Sequence, residues 1–344
     1  IMRKGKKIYI QAAFLLFLIV GTILIIRQQR DMPYQHNEGF IFGTVYHATY
    51  QYDKDLNKEI IAELNKVDNE FSMFNKHSTV TAFNQGKTIE ANKMFMQVLT
   101  LSQTINKETD DAFDITVAPL VNAWGFGFKH QQLPDRQQVD SLRALMGMQY
   151  IKIEHTRGKT LVKSTHKGLM LDFSAIAKGY GSDAVATVMR RHDIKNYMIE
   201  IGGEVITSGL SEKRLPWKIG VIKPSDDSLN TKQELQTVLN VTDKGMATSG
   251  NYRNFYYNKG KKLAHTIDPR TGYPVQHSLL SATVLAKSCA EADGYATAFM
   301  VLGIEKAKAV LDKHPELMAY FIYADKGGKN KVWYSPSLEK KITK

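Results

Sequence analysis

The stretch that decides the fold begins with HTIDPRTG at residues 265–272 and ends with CAEADGYATA at residues 289–298. The first segment predicts a strand end followed by a tight turn. Pro269 fixes its own φ, and Gly272 can adopt the positive φ that many turns require. The second segment is rich in alanine and predicts a helix.

Asp293 and Thr297 are four residues apart in this predicted helix, so their side chains share one face. A carboxylate and a hydroxyl are hard oxygen donors, the type that Mg²⁺ prefers. The same spacing also fits an ordinary polar residue beside a packing residue. On spacing alone, that plainer interpretation is favoured.

The charge of the chain is concentrated near its start. The net charge of the 344 residues is +12, and the first thirty residues contain six lysines and arginines and no acidic residue. The remainder is mildly basic and has no basic and aromatic stripe of the nucleic-acid-binding type. We therefore expect no nucleic-acid partner and a surface that tolerates anionic ligands.

Residues 8–26 are almost entirely apolar, and the run is about long enough to cross a bilayer as a helix. The excess of basic residues before it predicts that the N-terminal end stays in the cytoplasm. The run is long for a signal-peptide core, and no small-x-small cleavage site follows it. We therefore predict an uncleaved signal anchor at residues 1–26 of a single-pass protein of the cytoplasmic membrane, with the body on the outer, periplasmic side.

Residues 27–38 are predicted to form a polar linker, and residues 39–344 a single functional domain. The only cysteine, Cys289, is far from the anchor and allows no internal disulfide. Residues 39–50 alternate like one strand, with Phe42 as a core residue. Apolar spacing predicts helices at 55–71, 92–109 and 134–146, and strands at 150–154 and 160–164 around a turn at 157–158.

Two further segments suggest ligand contacts. In residues 112–127, AFDITVAPLVNAWGFG, Asp114 and Thr116 lie on the same side of an extended segment. They could hydrogen-bond a nucleotide edge or cap the helix after Pro119, and capping is the better interpretation from the residues alone. In residues 171–183, a predicted strand leads into a helix whose N–H groups, with Lys178, suit a phosphate, although the spacing is not that of a Walker loop.

The C-terminal half is predicted to be rich in strands, at 196–205, 217–221, 237–241, 279–286 and 319–323, with a helix at 307–312. Glu204 is expected to be an exposed carboxylate at a turn. Strands and helices interleave without a regular βαβ alternation. The predicted fold class is therefore α+β, with mixed, largely antiparallel sheets and packed helices, preceded by one N-terminal transmembrane helix.

Together, these motifs resemble the ApbE family, the FAD:protein FMN transferases, from about Gly39 to about Tyr334. The resemblance rests on FGT at 42–44, the loop around Phe74, residues 112–127, LDFSAIAKGY at 171–180, ATSGNYR at 247–253, HTIDPRTG at 265–272 and CAEADGYATA at 289–298. The chain departs from the family pattern at Phe42, where methionine is usual, mildly at Phe173 and Ser174, and in having no cysteine near its start to carry a lipid.

The resemblance implies a role for each matching residue. It places the flavin near Phe74 and Phe42, which taken alone are ordinary core aromatics. It implies FAD-binding and metal-binding roles for a larger set of residues: Asp114, Thr116, Asp172, Lys178 and Ile267 at FAD, and the carbonyl of Ala175 with Asp293 and Thr297 at Mg²⁺.

The implied activity is Mg²⁺-dependent transfer of FMN from FAD to a protein threonine, with release of AMP. A threonine hydroxyl is a weak nucleophile and benefits from a proton acceptor. His265 is the candidate, although a lone histidine at a strand end is more often structural. Asp268 is a second candidate that better fits a role in shaping the turn. We expect Asp293→Ala to abolish transfer and to leave the fold intact, since losing an exposed carboxylate costs little stability.

The implied protein partners are flavin-acceptor subunits of membrane electron-transfer complexes of the Nqr and Rnf type. Two alternatives remain open at the level of sequence: a Mg²⁺-dependent FAD pyrophosphatase giving FMN and AMP, and a non-catalytic membrane-anchored FAD-binding protein. An older interpretation of the family, as thiamine-synthesis lipoproteins, has no chemical support in these residues.

Overall fold

The structure is a computed structural model, and it describes residues 2–127, 133–224, 234–251, 255–258 and 261–343. The helices are α1 (Met2–Asp31), α2 (Asn57–Phe71), α3 (Thr79–Asn84), α4 (Lys93–Glu108), α5 (Ala118–Ala123), α6 (Arg136–Arg143), α7 (Ala177–Arg191), α8 (Cys289–Leu302) and α9 (Ile304–Leu311), with short 3₁₀ helices at Met148–Tyr150 and Pro336–Lys341.

The strands are β1 (Tyr34–Ile41), β2 (Thr44–Gln51), β3 (Ile89–Glu90), β4 (Ile151–Thr156), β5 (Lys159–Ser164), β6 (Tyr197–Ile201), β7 (Glu204–Ser208), β8 (Trp217–Ile222), β9 (Leu235–Val241), β10 (Gly245–Gly250), β11 (Phe255–Asn258), β12 (Lys261–Ala264), β13 (Ile267–Asp268), β14 (Tyr273–Pro274), β15 (Leu279–Ala286), β16 (Met318–Ala324) and β17 (Asn330–Tyr334).

Eight strands form the main sheet, in the order β1-β2-β6-β7-β10-β15-β16-β17. Four smaller sheets pair β3-β5-β4, β8-β9, β11-β12 and β13-β14. All strand pairs within the described residues are antiparallel. The helices pack on these sheets, as the predicted α+β class requires.

The central helix is α8, which packs on β10 and β15 and against α7. It begins at Ser288, whose hydroxyl accepts a hydrogen bond from the Glu291 N–H, and it ends at Gly303, where φ is +74°. Its residues are buried on nearly all sides, as expected for an alanine-rich helix inside a core. The helices predicted at 55–71 and 92–109 are present as α2 and α4, and Asn92 caps α4.

The prediction of one strand over residues 39–50 is wrong. The chain instead forms a hairpin of β1 and β2, with Phe42 and Gly43 in the turn at φ values of 52° and 75°. A two-residue turn of this kind needs positive φ at both positions, and phenylalanine gives no signal for it. In the segment 196–205, the predicted strand is present as β6 and ends before the two glycines, Gly202 and Gly203, which join it to a further strand, β7. The strand predicted at the start of residues 171–183 is absent, because no strand lies between β5 and α7.

The segment predicted as a linker is largely structured. Helix α1 runs to Asp31 and β1 begins at Tyr34. The two residues between them are fixed to the body of the domain: the Gln51 side chain donates to the Met32 carbonyl at 2.8 Å, and the Tyr52 N–H donates to the Pro33 carbonyl at 3.0 Å. Within α1, Tyr9–Arg27 has a mean hydropathy of 2.5 and is unburied, so its length and composition would allow it to cross a membrane.

Candidate functional site

A cavity of about 730 Å³ lies where α8, the start of α7, the end of β10 and the loops 112–117 and 265–269 meet. Its volume falls within the usual range for ligand sites. Eight of the eleven residues singled out from the sequence line it: Asp114, Asp172, Ala175, Lys178, His265, Ile267, Asp293 and Thr297. The fold therefore gathers most of the candidates from distant parts of the chain into one cleft.

The α8 side of the cavity carries Asp293 and Thr297, one turn apart. The Asp293 carboxylate accepts a hydrogen bond from the Gly179 N–H at 3.0 Å, which joins α8 to the 171–179 loop. The Thr297 hydroxyl is 3.2 Å from that of Ser249 on β10. Asp293 is only 2% exposed, so the expectation that it is an exposed carboxylate is wrong.

Lys178 lies between two carboxylates at the floor of the cavity. Its Nζ is 2.7 Å from an oxygen of Glu204, and its side chain keeps 31% of its surface exposed. Burial alone would lower the pKa of Lys178, but the Asp293 and Glu204 carboxylates outweigh it and hold that pKa above its usual value. The ammonium therefore stays charged. Glu204 is 5% exposed, so the expectation of an exposed turn carboxylate is wrong: β7 begins at this residue and carries it inward.

Asp114 and Thr116 form a local turn. One oxygen of Asp114 accepts hydrogen bonds from the N–H and the hydroxyl of Thr116, both at 2.7 Å, and that hydroxyl accepts the Gly147 N–H at 2.8 Å. The capping interpretation is wrong, because Val117 is the N-cap of α5 and no side chain bonds there. Thr116 is fully buried and does not line the cavity, so within the described structure it orients Asp114. Burial raises the pKa of Asp114.

Asp172 fastens two walls of the cavity together. Its N–H donates to the Ile115 carbonyl at 2.7 Å, and its carboxylate accepts the Ser174 N–H at 2.8 Å. Burial raises the pKa of this carboxyl group. The first bond holds the 112–117 loop beside the 171–176 turn, so Asp114 and Asp172 approach the same space.

His265 is half-buried and lines the cavity, with its ring edge-on to Phe126 at 6.3 Å between centroids. Asp268 is committed elsewhere: its two oxygens bind the Arg270 guanidinium at 2.9 and 2.8 Å. Partial burial raises the pKa of Asp268, but these bonds outweigh it and leave the pKa below its usual value. A carboxylate held in this way is a weak base, so Asp268 shapes the turn, whereas His265 lines the cavity.

Two aromatic candidates, Phe42 and Phe74, do not line the cavity among the described residues. Phe74 is 75% exposed. Phe42 packs its ring over α7, where a β-carbon on Gly181 would lie 2.7 Å from it. Phenylalanine at positive φ costs about 1–3 kcal/mol, and this packing offsets the strain.

The sequence gives no ligand role to several residues that line the cavity, among them Thr248 and Gly202. The serine and glycine of the block at 247–253 predict a turn, either close to a ligand or purely structural, and Ser249 and Gly250 line the cavity. Residues 245–250 instead form β10, and Arg253 lies outside the described residues. Alternating small and hydroxyl side chains in a central strand would have been the available signal.

Comparison with known proteins identifies the family. A sequence model of the ApbE family matches residues 42–321. The chain belongs to the ApbE family. It is 34% identical over 312 residues to FAD:protein FMN transferase of Escherichia coli K12, covering 88% of this chain and 87% of that protein. It is 36% identical over 318 residues to the enzyme of that name from Haemophilus influenzae, covering 89% and 90%.

Solved ApbE structures have the same fold. Flavin transferase ApbE from Vibrio cholerae superposes with a TM-score of 0.80 at 32% identity, over 90% of this chain and 99% of that one. The apo form of the flavinyl transferase ApbE from Pseudomonas stutzeri gives 0.79 at 29% identity, over 90% and 97%. The predicted family and α+β fold are confirmed, and this ApbE chain is an enzyme of the transferase class.

The donors in this ApbE cavity fit a hard divalent ion. Among the described residues, no three or more His, Cys, Asp and Glu side chains group to hold a metal. A cation here would therefore use one carboxylate with hydroxyl and main-chain oxygens. Asp293, Thr297 and Ala175 all line the cavity and can supply such a set. This donor type suits Mg²⁺, which keeps few protein ligands and completes its shell with water and phosphate oxygens.

The contact between α7 and α8 predicts a strong effect of Gly179→Ala. A β-carbon at this position would lie 2.5 Å from the Cys289 carbonyl oxygen and 2.8 Å from the Asp293 β-carbon. Relieving this clash must move α7 away from α8, at a cost of about 1–3 kcal/mol. We expect a lower Tm together with a loss of the activity proposed below.

Gly327→Ala is the matched control. A β-carbon there meets only the Asp325 side chain, at 3.4 Å, an ordinary contact. Thermal unfolding and rate measurements on both variants test the packing argument. A Gly179→Ala variant with the Tm and rate of Gly327→Ala would contradict it.

Proposed function

We propose that this chain transfers FMN from FAD to a threonine hydroxyl of a target protein, forming a phosphoester and releasing AMP, with Mg²⁺ as cofactor. The observation that carries the proposal is the Asp293–Gly179 hydrogen bond of 3.0 Å. It brings the oxygens of α8 to the same cleft as Lys178 and Asp172, where a pyrophosphate can meet both a cation site and an ammonium group.

The reaction breaks the phosphorus–oxygen bond between the two phosphates of FAD. The threonine oxygen attacks the phosphorus of the FMN half, and the AMP phosphate leaves with the bridging oxygen. Asp293, Thr297 and the Ala175 carbonyl would hold Mg²⁺, which would polarise the phosphorus and offset the charge of the leaving phosphate.

The other residues act on charge and protons. Lys178, kept protonated by its carboxylate neighbours, binds a phosphate oxygen. His265 accepts the threonine proton as the new bond forms. The half-buried position of His265 in the cavity lining suits a group that meets the incoming acceptor. Asp114 and Asp172, held by their turns, hydrogen-bond the FAD.

Mass spectrometry of a co-expressed acceptor domain tests this proposal. We expect the acceptor to gain one FMN on a threonine and AMP to appear in equal amount, only when Mg²⁺ is present. Free FMN and AMP without a modified acceptor would instead show hydrolysis. Purified chain that binds FAD and yields no AMP would show a binding protein without turnover.

We further propose that α1 anchors the enzyme in the cytoplasmic membrane with the catalytic domain on the outer, periplasmic side. The apolar segment Tyr9–Arg27 and the basic residues before it support this orientation. Since Met32 and Pro33 are bonded to the domain, little free chain separates it from the anchor. Acceptors at the membrane, such as subunits of Nqr-type and Rnf-type complexes, fit that arrangement.

The anchor proposal predicts the partitioning of a charged variant. A double substitution, Leu16→Arg with Ile19→Arg, places two charges at the middle of the span, each costing about 2.5–3.5 kcal/mol. We expect the full chain to move from the membrane fraction to the soluble fraction. Leu215→Arg, at a residue 51% exposed in the catalytic domain, should leave it in the membrane fraction. Membrane retention of the double variant would contradict the anchor.

A further inference from the structure

Asp183 connects α7 and α8, the two helices that carry Lys178, Asp293 and Thr297 at the cavity. It lies on α7, and its two carboxylate oxygens accept the N–H groups of Cys289 and Ala290, each at 2.9 Å. These are the first two residues of α8. The third N–H of that helix, from Glu291, is bound by Ser288 at 3.2 Å. The first three backbone N–H groups of α8 are therefore bonded by two residues, Asp183 of α7 and the N-cap residue Ser288.

The Asp183 bonds form one of two clamps between α7 and α8. The other is the hydrogen bond from Gly179 to Asp293. Gly179 and Asp183 are one turn apart on α7, as are Cys289 and Asp293 on α8. The first turn of α8 is therefore bonded to α7 at two points.

The carboxylate of Asp183 faces the N-terminus of α8. Burial raises its pKa to about 6, while the two N–H groups it accepts oppose the shift. A carboxylate at a helix N-terminus is further favoured by the positive end of the helix dipole. The clamp therefore combines two hydrogen bonds with a charge that faces the α8 terminus.

We propose that Asp183 is a positioning residue of the metal site. By holding the first turn of α8 on α7, it fixes where Asp293 and Thr297 face the 171–179 loop. The identity of the ion rests on the proposed function. Asp183 itself does not line the cavity among the described residues, so it acts through α8 and touches neither FAD nor the ion.

A Mg²⁺ titration of three full-length variants tests this role. Asp183→Asn keeps one acceptor oxygen but turns an amide N–H₂ toward the second donor. We expect the Mg²⁺ concentration for half-maximal transfer to rise about 10-fold, the lower end of the usual effect of residues that orient metal ligands. The maximal rate at saturating Mg²⁺ should change much less. Asp183→Glu keeps the charge on a longer side chain, and we expect the same rise in the half-maximal Mg²⁺ concentration. It serves as the test if Asp183→Asn does not fold.

Ser288→Ala is the control, since it removes a cap from the same helix and leaves the clamp to α7 intact. We expect its Tm to fall by a few degrees and its half-maximal Mg²⁺ concentration to stay within about 2-fold of wild type. If the Asp183 variants match Ser288→Ala in the Mg²⁺ titration, Asp183 is only a helix cap and the proposal fails.

Mn²⁺ binding followed by electron paramagnetic resonance gives a readout without turnover. With FAD present and no acceptor, the free Mn²⁺ signal should show weaker binding for Asp183→Asn than for Ser288→Ala. A wild-type chain that binds Mn²⁺ but transfers no FMN would count against the proposed function. The comparison of the two variants would still decide the role of Asp183.

Discussion

Replacing Asp293 with asparagine should lower kcat/KM for FMN transfer by about 10³-fold or more. This corresponds to about 4 kcal/mol, the scale of a metal ion's effect on charge in a transition state. Asparagine keeps the shape and an oxygen that can accept the Gly179 N–H. It removes the negative charge, and with it the carboxylate that we assign to the cation.

The burial of Asp293 decides which variant is informative. Alanine would leave the Gly179 N–H unsatisfied in the core, at a cost of about 1–3 kcal/mol. The sequence analysis expects Asp293→Ala to leave the fold intact because it takes the carboxylate to be exposed. Since Asp293 is buried, we now expect this variant to be destabilised. Lys178 would keep Glu204 as an ion-pair partner in either variant.

AMP release measured by chromatography, together with the mass of the acceptor, gives the rate for Asp293→Asn. Asp312→Asn is the control, at an exposed aspartate at the end of α9 and outside the cavity. A variant with wild-type rates would place the metal site elsewhere. A variant with the wild-type Tm and no transfer would support a role for the carboxylate in chemistry rather than in folding.

The second large effect is expected for His265→Ala, which should slow transfer by about 10²–10⁴-fold. We assign the imidazole the role of proton acceptor for the threonine hydroxyl, and the other candidate, Asp268, is bound to Arg270. FAD binding and the Mg²⁺ requirement should be nearly unchanged. The effect should therefore appear in kcat at saturating FAD and acceptor.

His155→Ala provides the matched comparison for His265→Ala, since His155 is exposed on β4 and outside the cavity. Stopped reactions analysed for modified acceptor give the two rates. Full activity in His265→Ala would remove this histidine from the role. A loss that equals that of His155→Ala would do the same.

Local patterns were sufficient to predict the longer helices but not α3. Apolar spacing predicted α2 and α4, and the alanine-rich stretch predicted α8. The hairpin at Phe42 was missed because its turn depends on backbone strain that packing on Gly181 offsets. Such compensation comes from tertiary contacts, which no local window of sequence contains.

The convergence of the site could not be derived from spacing. Asp293 meets Gly179 across 114 residues of chain, and Cys289 meets Asp183 across 106. The family resemblance predicts that these motifs belong to one site, but only the structure shows which of their residues are in contact. The inward position of Glu204 was missed for a related reason: a pair of glycines predicts a turn but not which side of the sheet the next residue faces.

The most direct test is a crystal structure of the chain soaked with FAD and Mn²⁺, with the metal located by its anomalous signal. We predict one peak at about 2.0–2.3 Å from an oxygen of Asp293, with the Thr297 hydroxyl and the Ala175 carbonyl as further ligands and phosphate oxygens completing the shell. A metal bound away from α8, or FAD bound with its phosphates outside this cavity, would contradict the account.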